Sequence, residues 1–220
     1  MSSKKNILIV GATGAMGSSL AKQLTKDPSV QLILMARNIQ KLNVLSDELG
    51  NDPFLIPLNL LGATPKDYET VRTEIEKNCG AIHAIIFASG DVGSLTPIEH
   101  YDVGQWYNLM QVNLHAPFLM VQILLPLLKQ ADTAHIVFLH DEIAMQPKAY
   151  WGAYSIAEAG KLQFAHLLKA ECDASIHVHS LFLSRFKSGI TQKAFPGMFL
   201  EGTHPFPEAA VHVDKILALL

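Results

Sequence analysis

Residues 7–17 constrain this chain more than any other segment. Ile7-Leu8-Ile9-Val10 is a short, wholly apolar run that passes into Gly11-Ala12-Thr13-Gly14-Ala15-Met16-Gly17, and a helical pattern follows to about Lys26. Such a run bounded by glycine is a buried strand. Glycines three apart at its end allow a tight turn and the close approach of a diphosphate to a helix N-terminus. The rest of the chain repeats this alternation. Strands are predicted at Gln31–Met35, Phe54–Leu58, Ile82–Ala88, His135–Leu139 and Ile176–Leu183. Helices are predicted at Asn38–Leu49, Pro65–Asn78 (Thr64 as N-cap), Val103–Gln130, Tyr150–Glu171 and Glu208–Leu220. Strands alternating with helices give a parallel α/β sheet covered on both faces, and right-handed crossovers make it doubly wound, with six strands. Phe186 to Pro207 is the one long irregular stretch, and Phe195, Met198, Phe199 and Phe206 make it apolar.

Composition sets the remaining bounds. At 220 residues and 49% hydrophobic, the chain fits one domain, 1–220, and needs no disulfide or metal staple. A net charge of −3 without a basic cluster argues against a nucleic-acid surface or polybasic anchor. Cys79 and Cys172 lie far apart and form no CxxC, which predicts a reduced, cytoplasmic protein. The greasiest run, Ala116–Leu128, falls short of the roughly 20 residues that cross a bilayer. His177 and His179 share a strand face, but nothing places them near other ligands, so no metal is expected.

At the end of the second strand stands Met35-Ala36-Arg37-Asn38, where NAD-binding folds usually place an acid. Ala36 leaves room and Arg37 offers a planar fork for a 2′-phosphate. That favours NADP(H), with NAD(H) as the alternative. Pro117, four residues after Asn113, has no N–H to give the Asn113 carbonyl, which predicts a kink there.

With these motifs the sequence resembles the short-chain dehydrogenase/reductase family, a Rossmann-type fold, from residue 6 to about 196. The glycine loop is similar to TGxxxGxG, with Val10 and Ala15 where Thr and a middle Gly are usual. Met110-Gln111-Val112-Asn113 resembles the active-site asparagine segment, and Trp151-Gly152-Ala153-Tyr154 the catalytic-tyrosine segment. Leu124-Leu125-Pro126-Leu127-Leu128-Lys129 and Ala194-Phe195-Pro196 look most like the bacterial YciK-type oxidoreductases. The resemblance implies hydride transfer between a nicotinamide and a carbonyl or alcohol. It implies cofactor contacts at Gly11, Thr13, Gly14, Met16, Gly17, Arg37, Asn59, Leu60, Ala88 and Gly90. It also implies a homodimer through the helices carrying Asn113 and Tyr154, and an unidentified small-molecule substrate, apolar by the character of 186–207.

The family pattern breaks where the proton moves. The lysine four residues after the tyrosine is Glu158, and the serine 13 before it is Asp141. NNAG is replaced by Phe87-Ala88-Ser89-Gly90, the adenine-contacting Asp by Asn59, and Pro-Gly after strand six by Leu183-Ser184. The usual seventh strand is not expected. A carboxylate beside Tyr154 opposes phenolate formation; a return from a tuned value near 7 to about 10 leaves about 10³-fold less phenolate at neutral pH. Lys161, seven residues on, lies about 10 Å along the helix and is a weak substitute. Strand alternation is expected to turn His140 away from Asp141. The candidate catalytic set is therefore Tyr154, Asn113, Asp141 and Glu158. Two readings stand: an NADP-dependent oxidoreductase with an altered tetrad, or a degenerate relative that binds nucleotide or a partner without turnover.

Overall fold

The computed structural model describes residues 4–198 and 205–220. Phe199 lies outside the described residues. Six strands, β1 (Lys5–Val10), β2 (Val30–Ala36), β3 (Phe54–Pro57), β4 (Ala84–Phe87), β5 (Ala134–Asp141) and β6 (Ile176–Leu183), form one parallel sheet in the order β3-β2-β1-β4-β5-β6. The order reverses between β1 and β4, and ligands bind doubly wound sheets outside the strand carboxyl ends at such a point. No seventh strand pairs with β6 among the described residues.

Alternation along the strands feeds two cores. Leu8, Val10, Ile136 and Phe138 face one layer, built from α3 (Pro65–Asn78), α5 (Ala116–Leu128) and α6 (Gly152–Glu171). Ile7, Ile9, Val137 and Leu139 face the other, built from α1 (Ala15–Leu24), α2 (Ile39–Leu49) and α8 (Val213–Leu217). Apolar side chains on both strand faces are what a parallel sheet with two helical layers requires.

Three elements differ from the sequence expectation. The helix beginning at Val103 is α4 (Val103–Met110), a π segment at Gln111–His115, and then α5. The kink predicted at Pro117 is thus taken up as a π-turn that places Asn113 inside it. Counted as one run, Val103–Leu128 spans 26 residues, long and apolar enough to cross a bilayer, but half of its most apolar stretch is buried in the fold. Within the segment expected to be irregular, Gly189–Ala194 forms α7. Its capping box joins Ser188 to Thr191, whose N–H donates to Ser188 Oγ while its hydroxyl takes the Ser188 N–H. The closing helix is short: Ala209–His212 is a 3-10 turn before α8.

Candidate functional site

The crevice at the β1/β4 switch point is shaped by backbone. Gly11 ends β1 with φ +86°, and a Cβ there would lie 2.7 Å from the Ser89 backbone beyond β4. A Cβ on Gly17 would overlap the carbonyl oxygen of Gly11. Glycine is the residue that fits either place, which keeps the turn tight and leaves the N-terminus of α1 open to a ligand. Gly14 is the N-cap of α1 and supplies no side-chain cap. Thr13 is half-buried in the loop, and Ser89 Oγ is buried at this crevice without a hydrogen-bond partner among the described residues. A cradle that any Cβ would fill and an orphaned hydroxyl suit a diphosphate.

The remaining predicted cofactor residues divide by what they present. Arg37 is exposed at the carboxyl end of β2 and makes no hydrogen bond or ion pair among the described residues. Asn59 is exposed, and its Oδ1 accepts the Leu61 N–H at 3.3 Å. Ala88 and Gly90 line the chain leaving β4. The Met16 and Leu60 side chains point into the cores, so these positions offer a ligand backbone only. Asn113, buried in the π segment, clamps the far lip of the crevice: Oδ1 accepts the Asp91 N–H at 2.9 Å and Nδ2 donates to the Asp91 carbonyl at 2.6 Å.

Tyr154, Glu158 and Lys161 occupy one buried face of α6. The ammonium of Lys161 lies 2.6 Å from Glu158 Oε1 and donates to the Leu139 carbonyl at 3.0 Å. Glu158 Oε2 is 3.5 Å from His140 Nδ1 and 3.4 Å from the Asp141 N–H. Glu158 is therefore held in an ion pair against β5 and has no hydrogen bond to the phenol. Tyr154 instead donates to Asp141 Oδ2 at 3.3 Å, while Asp141 Oδ1 accepts the Ile143 N–H at 3.0 Å.

His140 is turned the other way from Asp141, as alternation predicts, and meets Glu158, which the sequence did not foretell. Alternation sets it with Ile136 and Phe138 on the α6 face, and Asp141 reaches Tyr154 because β5 ends there and the chain turns.

The electrostatics follow from this packing. Burial, then the charges of Glu158 and Asp141 and the bond to Asp141, push the Tyr154 phenol well above its ordinary value. Burial also raises Asp141, aided by Glu158 and opposed by the Ile143 N–H, the Tyr154 bond and Arg185. Burial works against the Glu158 charge too, but Lys161 and His140 outweigh it and hold that carboxyl below the ordinary glutamate value. Burial keeps His140 neutral by lowering its pKa.

Sequence reasoning missed three contributors: the Lys161–Glu158 pairing, the Arg185 charge acting on Asp141, and His135. His135 Nδ1 lies 3.3 Å from His179 Nε2 across β5 and β6, with the His177 ring beside them. Among the described residues no group of three His, Cys, Asp or Glu could hold a metal ion.

Residues 5–198 match the model of the short chain dehydrogenase family. The uncharacterized oxidoreductase YciK of Escherichia coli K12 is 27% identical over 194 residues, spanning 86% of this chain and 77% of that protein. The 0.95 Å structure of the oxidoreductase yciK from E. coli superposes with a TM-score of 0.91 at 25% identity, covering 99% of this chain and 89% of that one. A short chain dehydrogenase from E. coli CFT073, solved in complex with NADPH, superposes with a TM-score of 0.90 at 26% identity, covering 99% and 90%. The chain belongs to the short-chain dehydrogenase/reductase family.

Proposed function

We propose that this protein binds NADP(H) in the β1/β4 crevice and presents a carbonyl or alcohol to it beside Tyr154, with tyrosine-driven turnover strongly attenuated. The glycine cradle, the unpaired Arg37 and the NADPH complex of a similar short chain dehydrogenase support the cofactor. Bound NADPH would supply a hydride to a carbonyl, and bound NADP⁺ would accept one from an alcohol; Tyr154 is the residue placed to move the proton.

One observation carries the attenuation: the buried Glu158–Lys161 ion pair. It places a carboxylate where the family pattern has a cation, and it engages the Lys161 ammonium on the same helix face. Tyr154 therefore keeps its proton and donates a hydrogen bond to Asp141. A phenol held well above 10 is a poor acid in reduction and a scarce base in oxidation, so both directions slow together. The second reading, nucleotide binding without turnover, is the limit of the same observation.

The test is NADPH consumption over a carbonyl panel from about pH 6 to 10, a range that brackets the tuned and untuned tyrosine. Glu158→Lys alone would bury two ammonium groups side by side, because Lys161 already fills that space. The restoring variant is therefore Asp141→Ser, Glu158→Lys, Lys161→Met. A slow parent and a variant at least about tenfold faster support the reading, a change of one pKa-scale step in barrier. A brisk parent that the triple change silences would show that the carboxylates are the machinery.

The same reading includes a cytosolic setting and a homodimer through the helices carrying Asn113 and Tyr154. Cys79 and Cys172 are free thiols, and Val103, Tyr107, Phe118, Ile156 and Leu167 are exposed on α4, α5 and α6. Light scattering of Ile156→Glu beside the parent tests the dimer: a parent that elutes as a monomer excludes it.

A further inference from the structure

The wall above Tyr154 is aromatic and carries two cations that form no ion pair among the described residues. Trp151 packs on Tyr154 with ring centroids 5.9 Å apart, Phe195 packs on Trp151 at 5.8 Å, and Phe206 on Phe195 at 5.9 Å. The Arg185 guanidinium carbon lies 4.5 Å from the Phe195 ring centre, and Lys148 Nζ lies 5.3 Å from that of Trp151 and 5.8 Å from that of Phe195. Other lysines around residues 186–207 are paired: Lys193 with Asp91 at 2.9 Å and Lys187 with Glu208 at 3.2 Å. Neither Arg185 nor Lys148 has a carboxylate within ion-pair distance among the described residues.

We propose that this wall takes a carbonyl compound with an apolar body and a carboxylate end, its body against Phe195 and its carboxylate on Arg185 with Lys148. The assignment rests on the oxidoreductase reading of the same site and names its substrate class. A guanidinium stacked on a ring keeps its in-plane N–H groups free, the fork that matches a carboxylate. Stacking alone is weaker than a charge-assisted bond, so the guanidinium gains by engaging a carboxylate as well. Of the acids facing the same space, Asp141 is near enough for Arg185 to feel its charge but forms no ion pair with it. Asp91 is already engaged by Lys193, and Asp141 is bonded to Tyr154 and the Ile143 N–H. Sequence separation hid this arrangement, since Lys148, Arg185 and Phe195 meet only through the fold.

Calorimetric titration of the full chain, saturated with NADP⁺, tests it with two probes of nearly one shape: 4-carboxybenzaldehyde, an anion, and its neutral methyl ester. The anion should bind at least tenfold more tightly. Arg185→Gln should erase most of that difference and Lys148→Gln part of it. Lys187→Gln, which removes a paired surface charge, should leave it unchanged. Equal affinities in the parent, no binding of either probe, or a preference that survives the double variant Arg185→Gln with Lys148→Gln would overturn the assignment. If NADP⁺ itself does not bind, the cofactor reading falls separately. The same titration on the unloaded chain then still decides whether the wall selects an anion.

Discussion

The two ends of the crevice are built from different materials. At the β1–α1 turn the constraints are backbone ones: a positive φ at Gly11, and no room for a Cβ on Gly11 or Gly17. At the β5–α6 contact they are ionisable side chains packed together: Glu158, Lys161, His140 and Asp141 around Tyr154. A backbone cradle depends on the absence of side chains and survives wide changes nearby. A buried charge cluster must balance as a unit, so replacing a lysine by Glu158 requires another cation within reach. Lys161 meets that requirement three residues along the helix.

The largest effect that would sharpen this contrast is on stability. Lys161→Met leaves Glu158 buried and unpaired and should destabilise the fold by about 3–5 kcal/mol in urea unfolding. Glu158→Gln with Lys161→Met removes both charges and should recover most of that loss. A Lys161→Met variant within about 1 kcal/mol of the parent would mean that the pair is not a unit.

Gly17→Ala probes the opposite end. The added Cβ meets the Gly11 carbonyl, and no flexible side chain is there to yield. Overpacking of this kind costs about 1–3 kcal/mol, and displacement of the turn by about 1 Å should weaken NADPH binding on the order of 100-fold. Unaltered NADPH affinity, read by fluorescence titration, would remove the cofactor from this cradle. Arg37→Ala is milder. It should leave NADH affinity in place and reduce the preference for NADPH by about 1–3 kcal/mol, the scale of a charge-assisted hydrogen bond to the 2′-phosphate.

What was legible in the sequence follows the same division. The strand at Ile7–Val10, the glycine turn and the capped helix at Pro65 are local patterns, and the structure has them where periodicity and capping put them. The helix at Gly189 is equally local, in the spacing of Ser188 and Thr191, but it lies inside 186–207, read as one long irregular stretch. The charge cluster was legible only as residue types. Lys161 was measured against Tyr154, seven residues back, whereas its partner Glu158 stands three residues away on the same face. Alternation puts His140 on the face opposite Asp141, but only the packing of α6 on β5 shows that this face meets Glu158. Arg185 and the His135–His179 contact join residues 44 apart or more along the chain, and only the sheet register brings them together.

The smallest expected effect tests whether Asp141 belongs to the strained end. Its carboxyl is raised above the usual 3.8, chiefly by burial and then by the nearby Glu158 charge. A raised folded-state value means that the proton binds the folded chain more tightly than the unfolded one. The contribution of Asp141 to stability is then fully present below about pH 3.8 and lost as the pH rises through the folded value. Asp141→Asn keeps an oxygen for the Ile143 N–H and removes the ionisation. It should therefore be more stable than the parent at pH 7, by less than about 1 kcal/mol, and the gain should fade toward pH 4. Glu158 titrates in the opposite sense: its pairing with Lys161 stabilises the fold above about 4.5 and is lost as the pH falls through its lowered folded value. That loss occurs in parent and variant alike, so their difference at each pH isolates Asp141. Thermal unfolding of both proteins between about pH 4 and 8 reads it directly. A variant less stable than the parent at pH 7 would show that the Tyr154–Asp141 hydrogen bond outweighs the buried charge, and that the proton-transfer end is a settled network rather than a strained one.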